Sequence, residues 1–110
     1  MANDPLDLPQ GTLDLLLLKT LALGPLHGWA IAERLHQISR DAVQVQQGSL
    51  YPALHRMEHL GWIRADWQMT ENNRRARIYK LTRAGEQRLG EEQEKWSRLM
   101  KGVAKVLRYA

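Results

Sequence analysis

Cysteine is absent from all 110 residues, which excludes a disulfide framework and thiolate chemistry and suits a reducing compartment. A basic amino-terminal region is also lacking: the first residues carry Asp4 and Asp7, so they do not read as a signal peptide. Long apolar runs are missing too. The leucine-rich stretch from Leu13 to Leu23 is broken by Asp14 and Lys19, well short of the roughly 20 apolar residues a membrane span needs. There is no low-complexity tract. Nothing resembles a nucleophile–base–orienter set, a phosphate-binding glycine loop or a metal quartet. The four histidines (His27, His36, His55, His59) lie outside any carboxylate or cysteine pattern. His55 and His59 are spaced i, i+4, but two ligands do not make a metal site. The expectation is a soluble, cytoplasmic, non-enzymatic protein with no metal, cofactor or membrane partner.

What is present belongs to a folded domain. Hydrophobic residues at 44% and charged residues at 25% can build a core and a solvated surface. A chain this short buries a modest core, so a dimerising extension would help it. Lysine and arginine total 16 against 12 acids, a formal charge of +4, which favours an anionic partner only weakly. The distribution says more. Between Asn72 and Arg83 stand five cations (Arg74, Arg75, Arg77, Lys80, Arg83) and no acid. Such a run is either a solvated face or a nucleic-acid contact.

A first helix is predicted from Gln10 or Gly11 to Leu23, ended by Gly24-Pro25. Its leucines (Leu13, Leu15, Leu16, Leu17, Leu18, Leu21, Leu23) cover most of its circumference. Burial on several sides follows, part of it against a second subunit. A second helix runs from His27-Gly28 to about Ser39, with Ile31, Leu35 and Ile38 on its buried stripe. The alternating segment from Ala42 to Gln46 can pair as a brief strand. Ser49 is placed to cap a third helix with Pro52 in its first turn. Leu50, Ala53, Leu54, Met57 and Leu60 form its buried stripe, and Gly61 stops it.

The period then changes to two. Ile63, Ala65, Trp67 and Met69 alternate with polar residues as in a half-buried strand. Thr70 to Asn73 supplies a turn, Arg75 to Leu81 the returning strand, and Thr82 the cap of a final helix reaching about Leu107. The fold class is mainly α with a small β-hairpin wing: a winged helix-turn-helix plus a long C-terminal helix. Its parts are an arm at 1–9, a DNA-binding domain at 10–82 and a dimerisation helix at 83–110.

This order suggests double-stranded DNA, because the second helix of a helix-turn-helix can enter the major groove and meet base edges. Ser49, Tyr51, His55, Arg56 and His59 lie on the third helix's solvent face. The expected DNA contacts are Gln47, just ahead of that helix, with Ser49, Tyr51, Pro52, His55 and Arg56. The hairpin tip joins Asn73 to Arg74 and Arg75, with Arg77 behind it.

The run from Gln47 to Glu58 (QGSLYPALHRME), followed by Leu60-Gly61-Trp62-Ile63, resembles the signature helix of PadR-family regulators. So does the stretch from Asn73 to Thr82 (NRRARIYKLT), followed by Ala84-Gly85. Upstream, Gly11-Thr12-Leu13-Asp14 and the stretch from Leu26 to Ile31 are similar to the family's opening helices. The likeness spans 10–89, and within the family it points to the short, acidobacterial-type group with one terminal helix. It implies a homodimeric transcription factor, usually a repressor of its operator. His27 and Trp29 then stand near DNA phosphates. Trp29 departs from the family's usual tyrosine, and its indole can donate one hydrogen bond.

The terminal helix supports dimerisation on its own pattern. Leu89, Trp96 and Val103 recur at heptad spacing, with Met100 and Leu107 beside that line. Leu13, Leu16 and Leu17 of the first helix are the expected counterpart. Trp96 has two readings: packing of the subunit interface, or a platform for a small aromatic or hydrophobic effector. Drug-sensing members of the family carry an aromatic at a similar place, facing a central cavity. The alternative to an operator-binding regulator is a winged-helix module that binds proteins.

Overall fold

The computed structural model describes residues 8–110, with the backbone only at Gln10. Most of the expected arm therefore lies outside the described residues. The chain forms α1 (Gln10–Ala22), β1 (Leu26–His27), α2 (Gly28–Ile38), α3 (Gln47–His59), β2 (Ile63–Met69), β3 (Arg75–Leu81) and α4 (Arg83–Arg108). The strands make one antiparallel sheet in the order β1-β3-β2. This is a winged helix-turn-helix with a long final helix.

Leu13, Leu15, Leu17, Leu18 and Leu21 of α1 are all buried within the chain itself. They pack with Ile31 of α2, with Leu54 and Met57 of α3, and with Ile63, Tyr79 and Leu89. The all-round apolar character of α1 thus needs little from a second subunit. Leu13, Leu17 and Leu89, expected at the dimer interface, are core residues of their own chain. Leu17 has 0% of its surface exposed and nothing left to offer a partner. Leu16 is half-buried.

The third strand is Leu26–His27, opposite Tyr79 and Ile78, and the Ala42–Gln46 strand does not form. Only Val43 makes a single bridge there. The end of α2 explains why. Arg40 and Asp41 both adopt left-handed backbone, with φ of 53° and 68°. They donate to the Gln37 and His36 carbonyls at 3.1 and 2.9 Å, closing a Schellman-type turn. The Ser39 hydroxyl then accepts from the Val43 N–H at 3.0 Å. The segment is folded back on the helix end instead of extending along a sheet. Ile38, expected on the buried stripe, is exposed because α2 stops there.

Helix α3 begins two residues before Ser49. The N–H groups of Ser49 and Leu50 both donate to the Gln46 carbonyl at 2.9 Å, so Gln46 occupies the capping position and Ser49 does not cap. Pro52 accordingly lies in the second turn, where it has no N–H for the Gly48 carbonyl. Gly48 is exposed, so water can take that place. Leu50, Ala53, Leu54 and Met57 are buried as expected. Leu60 is half exposed because the helix is already ending. Gly61, at φ 81°, allows the Trp62 N–H to reach the Met57 carbonyl at 3.0 Å.

The hairpin pairs Ile63 with Leu81 through to Met69 with Arg75. Its burial fades along its length: Ile63 is 2% exposed, whereas Trp67 and Met69 are 57% and 60% exposed. The half-buried strand of the sequence reading is therefore buried only at its base, because the wing extends past the core. Thr82 caps α4, its hydroxyl accepting from the Gly85 N–H at 3.0 Å.

Candidate nucleic-acid interface

The first three turns of α3 present Gln47, Ser49, Tyr51, Pro52 and His55 to solvent. The buried stripe at Leu50, Ala53, Leu54 and Met57 turns these residues outward. Tyr51 lies against the start of α2. A Cβ built on Gly28 would stand 2.8 Å from its ring, so glycine there lets the two helices approach. The same contact brings the α3 face beside His27 and Trp29. Their rings stack with centroids 6.0 Å apart and planes 4° off parallel. Trp29 is largely exposed, and the buried His27 Nδ1 has no hydrogen-bond partner among the described residues.

The wing carries Asn73 and Arg74 at its exposed tip. Asn73 takes the left-handed turn position, φ 59°, which an asparagine tolerates well. Arg74 and Arg75 make no ion pair among the described residues. Arg75 stacks its guanidinium 4.7 Å from the Trp67 ring centroid. Its charge remains available to a phosphate.

Arg56 and Arg77 are placed differently from the other expected DNA contacts. Arg56 on α3 is ion-paired with Asp14 on α1. Burial raises the Asp14 carboxyl above its ordinary range, and the Arg56 guanidinium opposes that rise. Arg77 Nη2 donates to Glu58 Oε2 at 2.8 Å, and its guanidinium lies 5.7 and 5.6 Å from the Trp67 and Tyr79 ring centroids. Burial also pushes the Tyr79 hydroxyl up, with Arg77 again opposing. Asp14, Glu58 and Trp67 had no part in the expected site. The hairpin pattern put Trp67 on the strand beside that of Arg77, although a turn centred on Asn72-Asn73 would have set it opposite Ile78 and not, as found, opposite Arg77. The carboxylate partners leave no such local signal.

Away from this surface, Trp96 is 43% exposed at the edge of a hollow of about 240 Å³ between α1 and α4. Thr12, Leu15, Lys95 and Leu99 line it with Trp96. Further along α4, Val103, Val106 and Leu107 stand exposed around a second shallow depression, while Met100 is half-buried. Among the described residues no three His, Asp or Glu side chains gather in a metal-binding group. No described helix is long and apolar enough to cross a membrane.

Solved structures share this architecture. A PadR family transcriptional regulator from Eggerthella lenta superposes with a TM-score of 0.78 at 27% identity, over 92% of this chain and 86% of that one. A transcriptional regulator from Clostridium thermocellum gives 0.80 at 24% identity, covering 87% and 93% of the two chains; at that identity the likeness shows the fold alone. A PadR family regulator from Clostridium difficile gives 0.74 at 25% identity, covering 86% and 96%. No curated protein matches the chain. Residues 17–91 match the transcriptional regulator PadR-like family. With that match spanning most of the winged domain, the chain belongs to the PadR-like family, one of transcriptional regulators and not of enzymes.

Proposed function

We propose that the protein binds a specific operator as a homodimer and represses transcription from it, with release by a small aromatic or hydrophobic effector at Trp96. The observation that carries the DNA reading is the exposed polar face of α3, set beside His27 and Trp29 and accompanied by the unpaired wing cations. Tight packing of α3 onto the core holds that face as a rigid unit able to enter a major groove. Gln47, Ser49 and His55 are the side chains for base edges; Arg74 and Arg75 are those for phosphates.

The charge pattern of α4 supports the homodimer. In its first half Glu86, Glu91, Glu92 and Glu94 outnumber Arg83 and Arg88, and from Lys95 onward there are five cations and no acid. An antiparallel copy sets each basic half against an acidic one and covers Leu99, Val103 and Val106. The hollow at Trp96 then adjoins the covered face, where a flat ligand would alter how the subunits sit and hence the spacing of the two α3 helices. The subgroup reading, acidobacterial-type, rests on the sequence motifs alone.

Fluorescence anisotropy on promoter DNA and on scrambled DNA, each at two salt concentrations, tests the main reading. A promoter preference that persists at the higher salt is expected. Arg74→Ala and Arg75→Ala should weaken binding to both DNAs, whereas changes at Gln47, Ser49 or His55 should alter the preference. Absence of binding to either DNA would move the assignment to a protein-interaction module.

A further inference from the structure

Arg77 is a cation on the wing, yet its geometry is that of an internal brace. It projects from β3 directly opposite Trp67 of β2, and Glu58 comes from α3, the helix that bears the exposed polar face. The 2.8 Å bond between them joins two elements that are separate in the chain. The side chains of Arg77 and Glu58 are 36% and 31% exposed, and the Arg77 Nε is buried. The guanidinium is further held by the Trp67 and Tyr79 rings, while Trp67 is also stacked by Arg75. A planar guanidinium suits such a place, because it can stack on a ring and hydrogen-bond a carboxylate in one conformation.

We propose that Arg77 is a positioning residue and not a phosphate ligand: with Glu58 it forms a strut that fixes the wing relative to α3. The inference rests on the DNA-binding reading and deepens it. Base edges read by α3 and phosphates met by Arg74 and Arg75 must be engaged together, so the angle between helix and wing governs how well one operator fits. An ion pair at this partial burial adds little to affinity by itself. Its value lies in holding one geometry.

The two roles predict opposite signs for one substitution. If Glu58 merely restrained a DNA-contacting Arg77, Glu58→Gln would free the guanidinium and tighten binding to any DNA. If the pair is a strut, Glu58→Gln and Arg77→Met both lower the preference for operator over scrambled DNA, by about tenfold, and the double variant is no worse than either single one. The salt dependence gives a second sign. Each phosphate contact contributes about 0.9 to the slope of log affinity against log salt. Arg77→Met should leave that slope unchanged, whereas Arg74→Ala should lower it.

Anisotropy of the full chain on both DNAs across a salt series reads all of these quantities. A urea melt of each variant verifies that the protein is folded under the assay conditions, and Glu58→Gln, nearly isosteric, keeps the test alive if Arg77→Met unfolds. Equal losses of preference with unchanged slopes are expected. Tighter binding by Glu58→Gln, or a slope reduced by Arg77→Met, overturns the strut while leaving the DNA reading intact. An operator preference unchanged in both folded variants overturns it as well. A wild-type protein that binds neither DNA overturns the regulator reading, and the strut falls with it.

Discussion

At Gly85 the space for a side chain is filled by backbone. A Cβ there would stand 1.9 Å from the Trp62 carbonyl oxygen, and the Leu81 side chain is 2.8 Å away on another side. The same carbonyl accepts from the Thr82 N–H at 3.1 Å, and the Thr82 hydroxyl donates to the Gly61 carbonyl at 2.6 Å. Two chain segments thus meet where α3 ends and α4 begins. The Trp62 backbone on one side and the Leu81 side chain on the other leave little room to relax. Gly85→Ala should cost about 3 kcal/mol or more, the scale of a severe overpacking, seen as a lower urea midpoint in circular dichroism. A variant as stable as the wild type would mean that the two segments can separate at small cost. Arg40 illustrates a different constraint: its side chain is exposed, yet its left-handed backbone brings the Cβ close to the residue's own carbonyl.

Helix α3 is tied on two flanks, by Asp14 from α1 and by Arg77 from β3. The Asp14 tie responds to pH. Asp14 has its carboxyl raised, chiefly by burial, despite the Arg56 partner. Because its folded pKa exceeds its unfolded one, the folded state binds the proton more tightly. Its contribution therefore favours the fold below the unfolded pKa and is lost as the pH rises through the folded pKa. Asp14→Asn should abolish this component. The stability of the wild type relative to the variant should fall as the pH is raised from about 4 towards neutrality. Urea melts at several pH values measure it, and a difference that rises over that range would show that the Arg56 pairing outweighs the burial. At this scale the hairpin was legible in the sequence, since alternation, turn residues and the Thr82 cap all agree locally. The extra strand was not. Val43 and Val45 alternate with polar neighbours, but the turn that follows α2 ties Val43 to the helix end, and Val45 packs against the core.

The molecule is elongated, 60 Å in its longest dimension against 21 Å in its shortest, and α4 accounts for the extension. Its 26 residues start against α1 and the sheet and continue past the core, leaving Leu99, Val103, Val106 and Leu107 exposed. An exposed apolar stripe of this kind fits the homodimer proposed above. Sedimentation or light scattering should therefore give a dimer for the wild type, and Val103→Glu should shift it to monomer at micromolar concentration. If charge pairing between antiparallel helices contributes, raising the salt should weaken the dimer before it unfolds the subunit. A wild-type monomer at all concentrations would remove the homodimer and, with it, the paired recognition helices.

The sequence by itself determined the element order, the wing, the capped terminal helix and the polar face of α3. Each depends on periodicity, glycine, proline and capping chemistry within a few neighbours. Only the tertiary structure decided which apolar and charged residues meet. It assigned Leu13, Leu17 and Leu89 to their own core, because α1 is covered by elements distant in the chain. It left Trp67 and Met69 in water, because the wing outruns the core that would have buried them. It also gave Arg56 and Arg77 to carboxylates on other elements. A cation looks the same in a sequence whether it will meet a phosphate or a carboxylate, and that choice is made by packing across the chain.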